Sequence, residues 1–288
     1  MTGEHEKVVE GAREASHGAA DAAGHAEQAA GHFDFAHLFH HLEDQVLVPL
    51  PSFSVGGVAI DLSITKAVLM MWIAGILSLV VFGTVAARLR RADVPRSTLS
   101  NLFESIILFV RDDMVYEIMG KRSGRRFTPY FLTLFFFILF CNLLGLVPFM
   151  ATATGNLAVT GGLALLTFIL TQGSGIREQG LAAYLRSIVP PGMPIFLLPI
   201  LIPIEVVGHF IKPFALTIRL FANMTAGHVV ILSLLGLIFL FRAVAVAIPA
   251  IAFALFINAL EMFVAFLQAY IFVFLSILFV NAAMHPEH

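Results

Sequence analysis

One arginine stands in the middle of a long apolar segment. Arg219 lies within FALTIRLFANMTAGHVV, where the nearest charged residues are Lys212 upstream and Arg242 downstream. An arginine at the centre of a bilayer costs about 2.5–3.5 kcal/mol on insertion scales, so it is retained where it faces a polar partner, a cavity or an ion path. Arg219 is therefore the first candidate functional residue of the chain.

Other polar side chains recur at helical spacing in the same segment and in the apolar segment that follows it. The first stripe comprises Glu205, His209, Lys212, Arg219 and Asn223. The second comprises Asn258, Glu261 and Gln268. Steps of three, four and seven residues keep side chains on one face of a helix. Because exposing both stripes to lipid is costly, we predict that they face each other or a water-filled gap.

The composition indicates a membrane protein. Hydrophobic residues make up 59% of the 288 residues, charged residues 12%, and the mean hydropathy is +0.90. Soluble domains carry about 25% charged residues. The single cysteine, Cys141, excludes a disulfide within the chain and fits a buried, inert thiol.

The long uncharged runs predict an all-α protein with about five transmembrane helices, since about 20 apolar residues cross a bilayer. We place them near 65–87, 130–149, 157–174, 196–240 and 250–284. The last two exceed the roughly 30 Å hydrocarbon core, so they are predicted to be steeply tilted and antiparallel. Such a pair suits a protein that lies against a curved partner surface.

The remaining segments are short or polar. Residues 1–35 are predicted to form a flexible Ala/His/Glu-rich tail, followed by a polytopic membrane domain over 36–288. We predict an amphipathic helix at 36–49, a small hairpin or loop at 51–64, and an interfacial helix near 97–118. The tail holds many histidines without a consistent ligand spacing, so no metal site and no cofactor are predicted.

The basic residues predict the orientation. Nine lie between positions 88 and 126, and two lie in the first 65 residues. By the positive-inside rule, the 88–126 loop is cytoplasmic, the N-terminus is outside and the C-terminus is cytoplasmic.

Three segments together resemble subunit a of the F-type ATP synthase family. They are KPFALTIRLFANMTAGH (212–228), NALEMFVAFLQAYIFVFLSILFV (258–280) and NLLGLVP (142–148). The likeness covers about 127–284, together with the layout of 65–126. It implies a non-catalytic stator subunit in the bacterial plasma (inner) membrane. It also implies a c-ring, the subunit b peripheral stalk, membrane lipids and a translocated proton or Na⁺ as partners, and no nucleic acid.

The resemblance assigns roles to particular residues. Arg219 matches the essential arginine, and Gln268 matches the glutamine that approaches it. His228 and Glu261 match a histidine–carboxylate pair, here in the reverse order to several bacterial relatives. If Arg219 faces Gln268 in an antiparallel pair of helices, facing residue numbers add to about 487, which brings His228 close to Glu261.

The implied mechanism uses two half-channels. The outer one is lined by His228, Glu261 and Asn223, and the cytoplasmic one lies near Glu205. The residues alone leave alternatives open. Glu205 is also consistent with a carboxylate that extends to the membrane interface and has no role in conduction. His228 is also consistent with a residue that only makes an interhelical hydrogen bond.

Two other functions fit the intramembrane charges less well. A self-contained secondary transporter or channel predicts inverted repeats around one central site, and we see no repeat and an odd number of spans. An intramembrane hydrolase needs a nucleophile and a base on facing helices, and the membrane serines lie in no such motif.

Overall fold

Five long apolar helices make up most of the described chain. The computed structural model describes residues 46–49, 53–55, 58–60, 63–90, 98–147, 152–187, 196, 198–241 and 243–285. The helices long and apolar enough to cross a membrane are Lys66–Ala87, Asn101–Gly145, Leu157–Gln179, Pro199–Ile238 and Val244–Met284. The prediction of an all-α membrane protein with about five spans is confirmed. The predicted tail, 1–35, lies outside the described residues.

Four short strands precede the first span. They are β1 (Val46–Val48), β2 (Phe53–Val55), β3 (Val58–Ile60) and β4 (Ile64–Thr65). β1 pairs with β4, and β2 pairs with β3, both antiparallel. The predicted hairpin is therefore present at β2–β3. The predicted amphipathic helix is wrong at its described end, because the β-branched valines of β1 pair with β4 instead of turning into a helix.

Seven α-helices follow in the described ranges. They are α1 (Lys66–Arg90), α2 (Thr98–Leu108), α3 (Glu117–Gly145), α4 (Leu157–Gln179), α5 (Leu181–Ser187), α6 (Leu198–Phe241) and α7 (Val244–Met284). A π-helix, Phe109–Tyr116, joins α2 to α3, and a 3₁₀ turn, Ala153–Gly155, precedes α4. The segment near 97–118 is thus helical, in an α-helical and a π-helical part. Its position at the membrane interface stays a prediction.

Several helices extend beyond their predicted ends. α3 begins at Glu117 rather than near 130, and it is kinked at Gly120, whose φ of 71° is not helical. The basic residues from Lys121 to Arg126 continue the helix before the apolar run. α7 begins at Val244 rather than 250 and contains Pro249. That proline lies in the second turn, where it removes one helical hydrogen bond, a defect that membrane helices tolerate.

α6 and α7 form the long C-terminal pair. They have 44 and 41 residues, only two residues separate Phe241 from Val244, and the two helices pack against each other as antiparallel neighbours. At 1.5 Å per residue each is about 60 Å long, twice the roughly 30 Å of the hydrocarbon core. Helices of this length fit the bilayer when they are strongly inclined.

The core lies mainly between α3 and α7. Phe131 and Phe136 of α3 and Phe272 and Ile277 of α7 are fully buried. α6 lies on the outside of this core, and it buries fewer side chains than α3 or α7. Its opposite side is therefore available to lipid or to a partner.

Candidate functional site

The turns of α6 around Arg219 have a buried face and an exposed face. Leu216, Leu220 and Met224 recur every four residues and are at most 2% exposed. Arg219 and Asn223 lie next to this stripe and are exposed. The chain therefore presents Arg219 outward, away from its own core. No hydrogen bond or ion pair joins its guanidinium to another of the described residues.

The predicted histidine–carboxylate pair is in contact. The Nδ1 of His228 on α6 lies 3.3 Å from the Oε1 of Glu261 on α7, as the predicted register requires. The Glu261 side chain is 4% exposed. Neither of its carboxylate oxygens meets the geometry of a hydrogen bond within the described chain. The His228 side chain is 21% exposed, so the ring lies between the buried acid and the surface.

Main-chain atoms and one hydroxyl hold the ring of His228. Its Nδ1 is 2.8 Å from the carbonyl oxygen of Met224, one helical turn earlier. Its Nε2 is 2.9 Å from the carbonyl oxygen of Gly145, at the end of α3. The Oγ1 of Thr152 is also 2.9 Å from Nε2. Three separate segments therefore fix the position of one imidazole.

Asn223 and Gln268 form a second link between the long helices. The Nδ2 of Asn223 donates to the Oε1 of Gln268 at 2.8 Å. Gln268 is 2% exposed, and its Nε2 has no hydrogen-bond acceptor in the described part of the chain. The structure shows no hydrogen bond between Gln268 and Arg219, and the expected contact stays a prediction. The amide oxygen has a second lone pair that can accept from the guanidinium.

Glu205 lines a cavity beside the part of α6 that precedes Arg219. The cavity has a volume of about 420 Å³ and lies between the first half of α6, α4, α5 and the end of α7. His209 and Lys212 also line it. The Nδ1 of His209 is 2.9 Å from the carbonyl oxygen of Glu205 and 4.0 Å from its Oε1. The Nζ of Lys212 lies 5.5 Å from the ring centroid of Phe279.

Arg219 separates these two polar regions along α6. Glu205 precedes it by 14 residues and His228 follows it by nine. At 1.5 Å per residue these separations correspond to about 21 Å and about 14 Å along the helix axis. The described residues contain no cluster of three or more histidine, cysteine or acidic side chains that would hold a metal ion.

The sequence analysis missed two residues that shape the pair. Thr152 contacts the ring of His228, and its only signal in the sequence is its place in the hydroxyl-rich segment ATATGN between two predicted spans. A Cβ added at Gly227 would overlap the carboxylate of Glu261. Asn142 of α3 also links two helices, because its Nδ2 donates to the carbonyl oxygen of Ala265 on α7 at 3.2 Å.

Comparisons with known proteins show which family this chain is similar to. The family described as ATP synthase A chain matches residues 68–281. An ATP synthase subunit a of Myxococcus xanthus is 52% identical over 229 residues, covering 80% of this chain and 75% of that protein. That of Chloroherpeton thalassium is 49% identical over 246 residues, covering 84% and 72%. That of Anaeromyxobacter dehalogenans is 46% identical over 271 residues, covering 86% and 70%.

The chain belongs to the F-type ATP synthase subunit a family. It is therefore a multi-pass membrane component of the Fo sector of the ATP synthase, and it acts within that assembly. The subunit a segments named from the sequence, 142–148, 212–228 and 258–280, all fall within the matched range. They also contain every candidate site residue except Glu205.

Proposed function

We propose that this subunit a carries protons between the two sides of the membrane through two offset half-channels, with Arg219 between them and a c-ring alongside. The outward position of Arg219 is the observation that carries the proposal. A charged guanidinium that faces lipid is costly, and the described chain provides it with no acid. An acidic residue on a neighbouring subunit would neutralise it.

The surface beside Arg219 suits close approach of such a subunit. Ala215, Ala222 and Ala226 lie three, four or seven residues from Arg219 and are exposed. Small side chains at helical spacing allow the backbones of two membrane helices to approach closely. A ring of c subunits, each with one carboxylate at membrane depth, fits this surface.

The pair of His228 and Glu261 supports an outer half-channel. An imidazole has a reference pKa of about 6.5 and exchanges protons readily near neutral pH. The carboxylate of Glu261 is 3.3 Å away, so one proton can be shared between the two groups. Asn223 lies between this pair and Arg219 along α6, and it extends the polar surface toward the arginine.

The cavity at Glu205 supports the cytoplasmic half-channel. At about 420 Å³ it is large enough for several water molecules, and it has the polar lining that water needs. In the predicted orientation, α6 begins at the cytoplasmic side, so this cavity opens there. Glu205 is then the group that receives the proton released from the ring.

Arg219 supplies the electrostatic barrier between the half-channels. Its guanidinium remains protonated at physiological pH, so it attracts an ionised ring carboxylate and promotes release of the proton. It also repels a proton moving directly between the two polar regions. An elementary charge that crosses 100 mV contributes about 2.3 kcal/mol, which the rotating ring converts into torque.

The same proposal covers the finer assignments. The subunit carries no ATP chemistry, and it contacts the c-ring, subunit b and membrane lipids. It lies in the bacterial inner membrane with its N-terminus outside and its C-terminus in the cytoplasm, as the distribution of basic residues favours. The translocated ion is a proton or Na⁺, and the imidazole of His228 favours the proton.

Replacing Arg219 tests this function. We expect Arg219→Ala to abolish ATP-driven acidification of inverted membrane vesicles while ATP hydrolysis by the complex persists. Arg177→Ala removes an exposed basic side chain at the end of α4 and serves as the matched control, with normal acidification. Normal acidification in Arg219→Ala vesicles would exclude Arg219 from the proton path.

A further inference from the structure

The ring of His228 has a hydrogen-bond acceptor at each nitrogen. The carbonyl oxygen of Met224 is 2.8 Å from Nδ1, and that of Gly145 is 2.9 Å from Nε2. A carbonyl oxygen only accepts, and a neutral imidazole has a single N–H. The imidazolium therefore satisfies both carbonyls, whereas a neutral ring satisfies one and leaves a lone pair on the other nitrogen.

Thr152 is the group at Nε2 that can reverse its role. Its hydroxyl lies 2.9 Å from Nε2 and both donates and accepts hydrogen bonds. When Nδ1 of a neutral ring donates to Met224, the hydroxyl can donate to the lone pair on Nε2. When Nε2 carries a proton, its N–H donates to the carbonyl of Gly145, and the hydroxyl turns its own hydrogen away so that its oxygen shares this donor. The carbonyl of Gly145 and the carboxylate of Glu261 cannot make this change.

The surrounding structure holds Thr152 at this position. A Cβ added at Gly145 would overlap the Oγ1 of Thr152 and would lie 2.6 Å from its Cγ2, so glycine makes room for the hydroxyl. Two residues later, the Oγ1 of Thr154 donates to the Oδ1 of Asn142 at 2.7 Å. Asn142 in turn donates to the backbone of α7. Thr154 is therefore tied directly to α3, and through Asn142 it is linked to α7.

We propose that Thr152 is a positioning residue that keeps His228 hydrogen-bonded in both of its protonation states. The inference rests on the proposed role of His228 in the outer half-channel. When a proton binds to Nε2, it stays on the ring, the hydroxyl keeps its own hydrogen, and only the direction of one hydrogen bond changes. Loss of the proton restores the first arrangement.

Among the described residues, few groups face the ring of His228. α7 contributes the titratable Glu261, α3 and α6 contribute the carbonyls of Gly145 and Met224, and the connection contributes Thr152. Removing the hydroxyl takes a donor from the neutral ring, while the imidazolium keeps both carbonyl acceptors. The protonated form is then favoured, so protonation is half-complete at a higher pH.

The test compares Thr152→Val with Thr152→Ser in the assembled complex. Inverted vesicles synthesise ATP at a fixed membrane potential and fixed external pH while the lumenal pH is varied. We expect Thr152→Val to lower the rate about tenfold and to move the midpoint of its pH profile upward. Thr152→Ser retains the hydroxyl and is expected to give a rate within twofold of the unmodified chain, with an unchanged midpoint.

Two further variants separate the possible causes. Thr133→Val removes an exposed hydroxyl on α3 and is expected to leave rate and midpoint unchanged. Equal impairment in Thr152→Val and Thr152→Ser, or an unmoved midpoint in Thr152→Val, overturns the inference. If His228→Ala sustains normal synthesis, the proposed outer half-channel fails and this inference fails with it. If His228→Ala is inactive but Thr152→Val is normal, only the role of Thr152 is lost.

Discussion

Arg219 lies on the exposed face of α6, whereas His228 and Glu261 form a pair that is largely buried between α6 and α7. These two environments suit different chemistry. Arg219 is exposed, and no acidic side chain among the described residues pairs with it. Under the proposed function, its charge faces the c-ring. Glu261 is buried against a ring that is held at both nitrogens. The arrangement separates a permanent positive charge from a pair that can gain and lose protons.

Exchanging the two members of the pair tests whether they act together. His228→Glu combined with Glu261→His retains one imidazole and one carboxylate on the facing helices. We therefore expect the double variant to translocate protons several-fold faster than His228→Ala or Glu261→Ala, measured by ATP-driven acidification. If the exchange is more harmful than both single losses, the two residues do not form a relay.

Gly227 sets the space available to the acid of the pair. Because a Cβ at this position would overlap the carboxylate of Glu261, we expect Gly227→Ala to reduce acidification at least tenfold. Glu261→Asp shortens the acid by one methylene. We therefore expect the double variant Gly227→Ala/Glu261→Asp to acidify vesicles several-fold faster than Gly227→Ala alone. Gly208→Ala is the control on the same helix, since nothing lies within 4 Å of a Cβ there.

Helix propensity alone makes the opposite prediction for Gly227. Replacing an interior helical glycine by alanine gains up to about 1 kcal/mol in a helix. Both alanine variants should share that gain, so a defect confined to Gly227→Ala identifies the overlap as its cause. Equal activity of the two variants would contradict the proposed packing.

At the scale of elements, α4 packs closely against α5 and the end of α7. A Cβ at Gly175 would lie 2.6 Å from the ring of Tyr184 and 2.9 Å from the carbonyl oxygen of Ala283. We expect Gly175→Ala to destabilise the complex by about 1–3 kcal/mol through overpacking. Gly173→Ala, two residues earlier and without a neighbour within 4 Å, should be neutral or stabilising. Thermal unfolding of the purified complexes measures the difference, and equal melting temperatures would refute the close contact.

Hydropathy predicted the five spans and the long final pair because membrane helices carry that signal over about 20 residues. It did not predict the ends of α3 and α7, because basic residues and a proline in the outer turns are compatible with helix. Residue spacing predicted the contact of His228 with Glu261 once the resemblance had placed Arg219 opposite Gln268, since one facing pair fixes the register of two antiparallel helices. The contact of Thr152 depends on a connection between helices, whose path no periodicity encodes.

At the scale of the whole molecule, the described chain leaves its arginine and a wide apolar surface uncovered. A self-contained transporter encloses its intramembrane charges, whereas a stator subunit presents one to a partner. We therefore expect the purified chain alone to be inert in liposomes, measured as proton flux under an imposed potential. Reconstitution with the remaining Fo subunits should restore the flux. Flux through the isolated chain would favour the transporter.

Cross-linking tests most directly whether the face around Arg219 meets the ring. Ala222→Cys places a thiol on that face, whereas Leu165→Cys places one on an exposed part of α4, and the native Cys141 is buried. With a second cysteine next to the acidic residue of the c subunit, we predict that oxidation joins Ala222→Cys, but not Leu165→Cys, to the ring. Cross-linking through Leu165→Cys with none through Ala222→Cys would contradict the account.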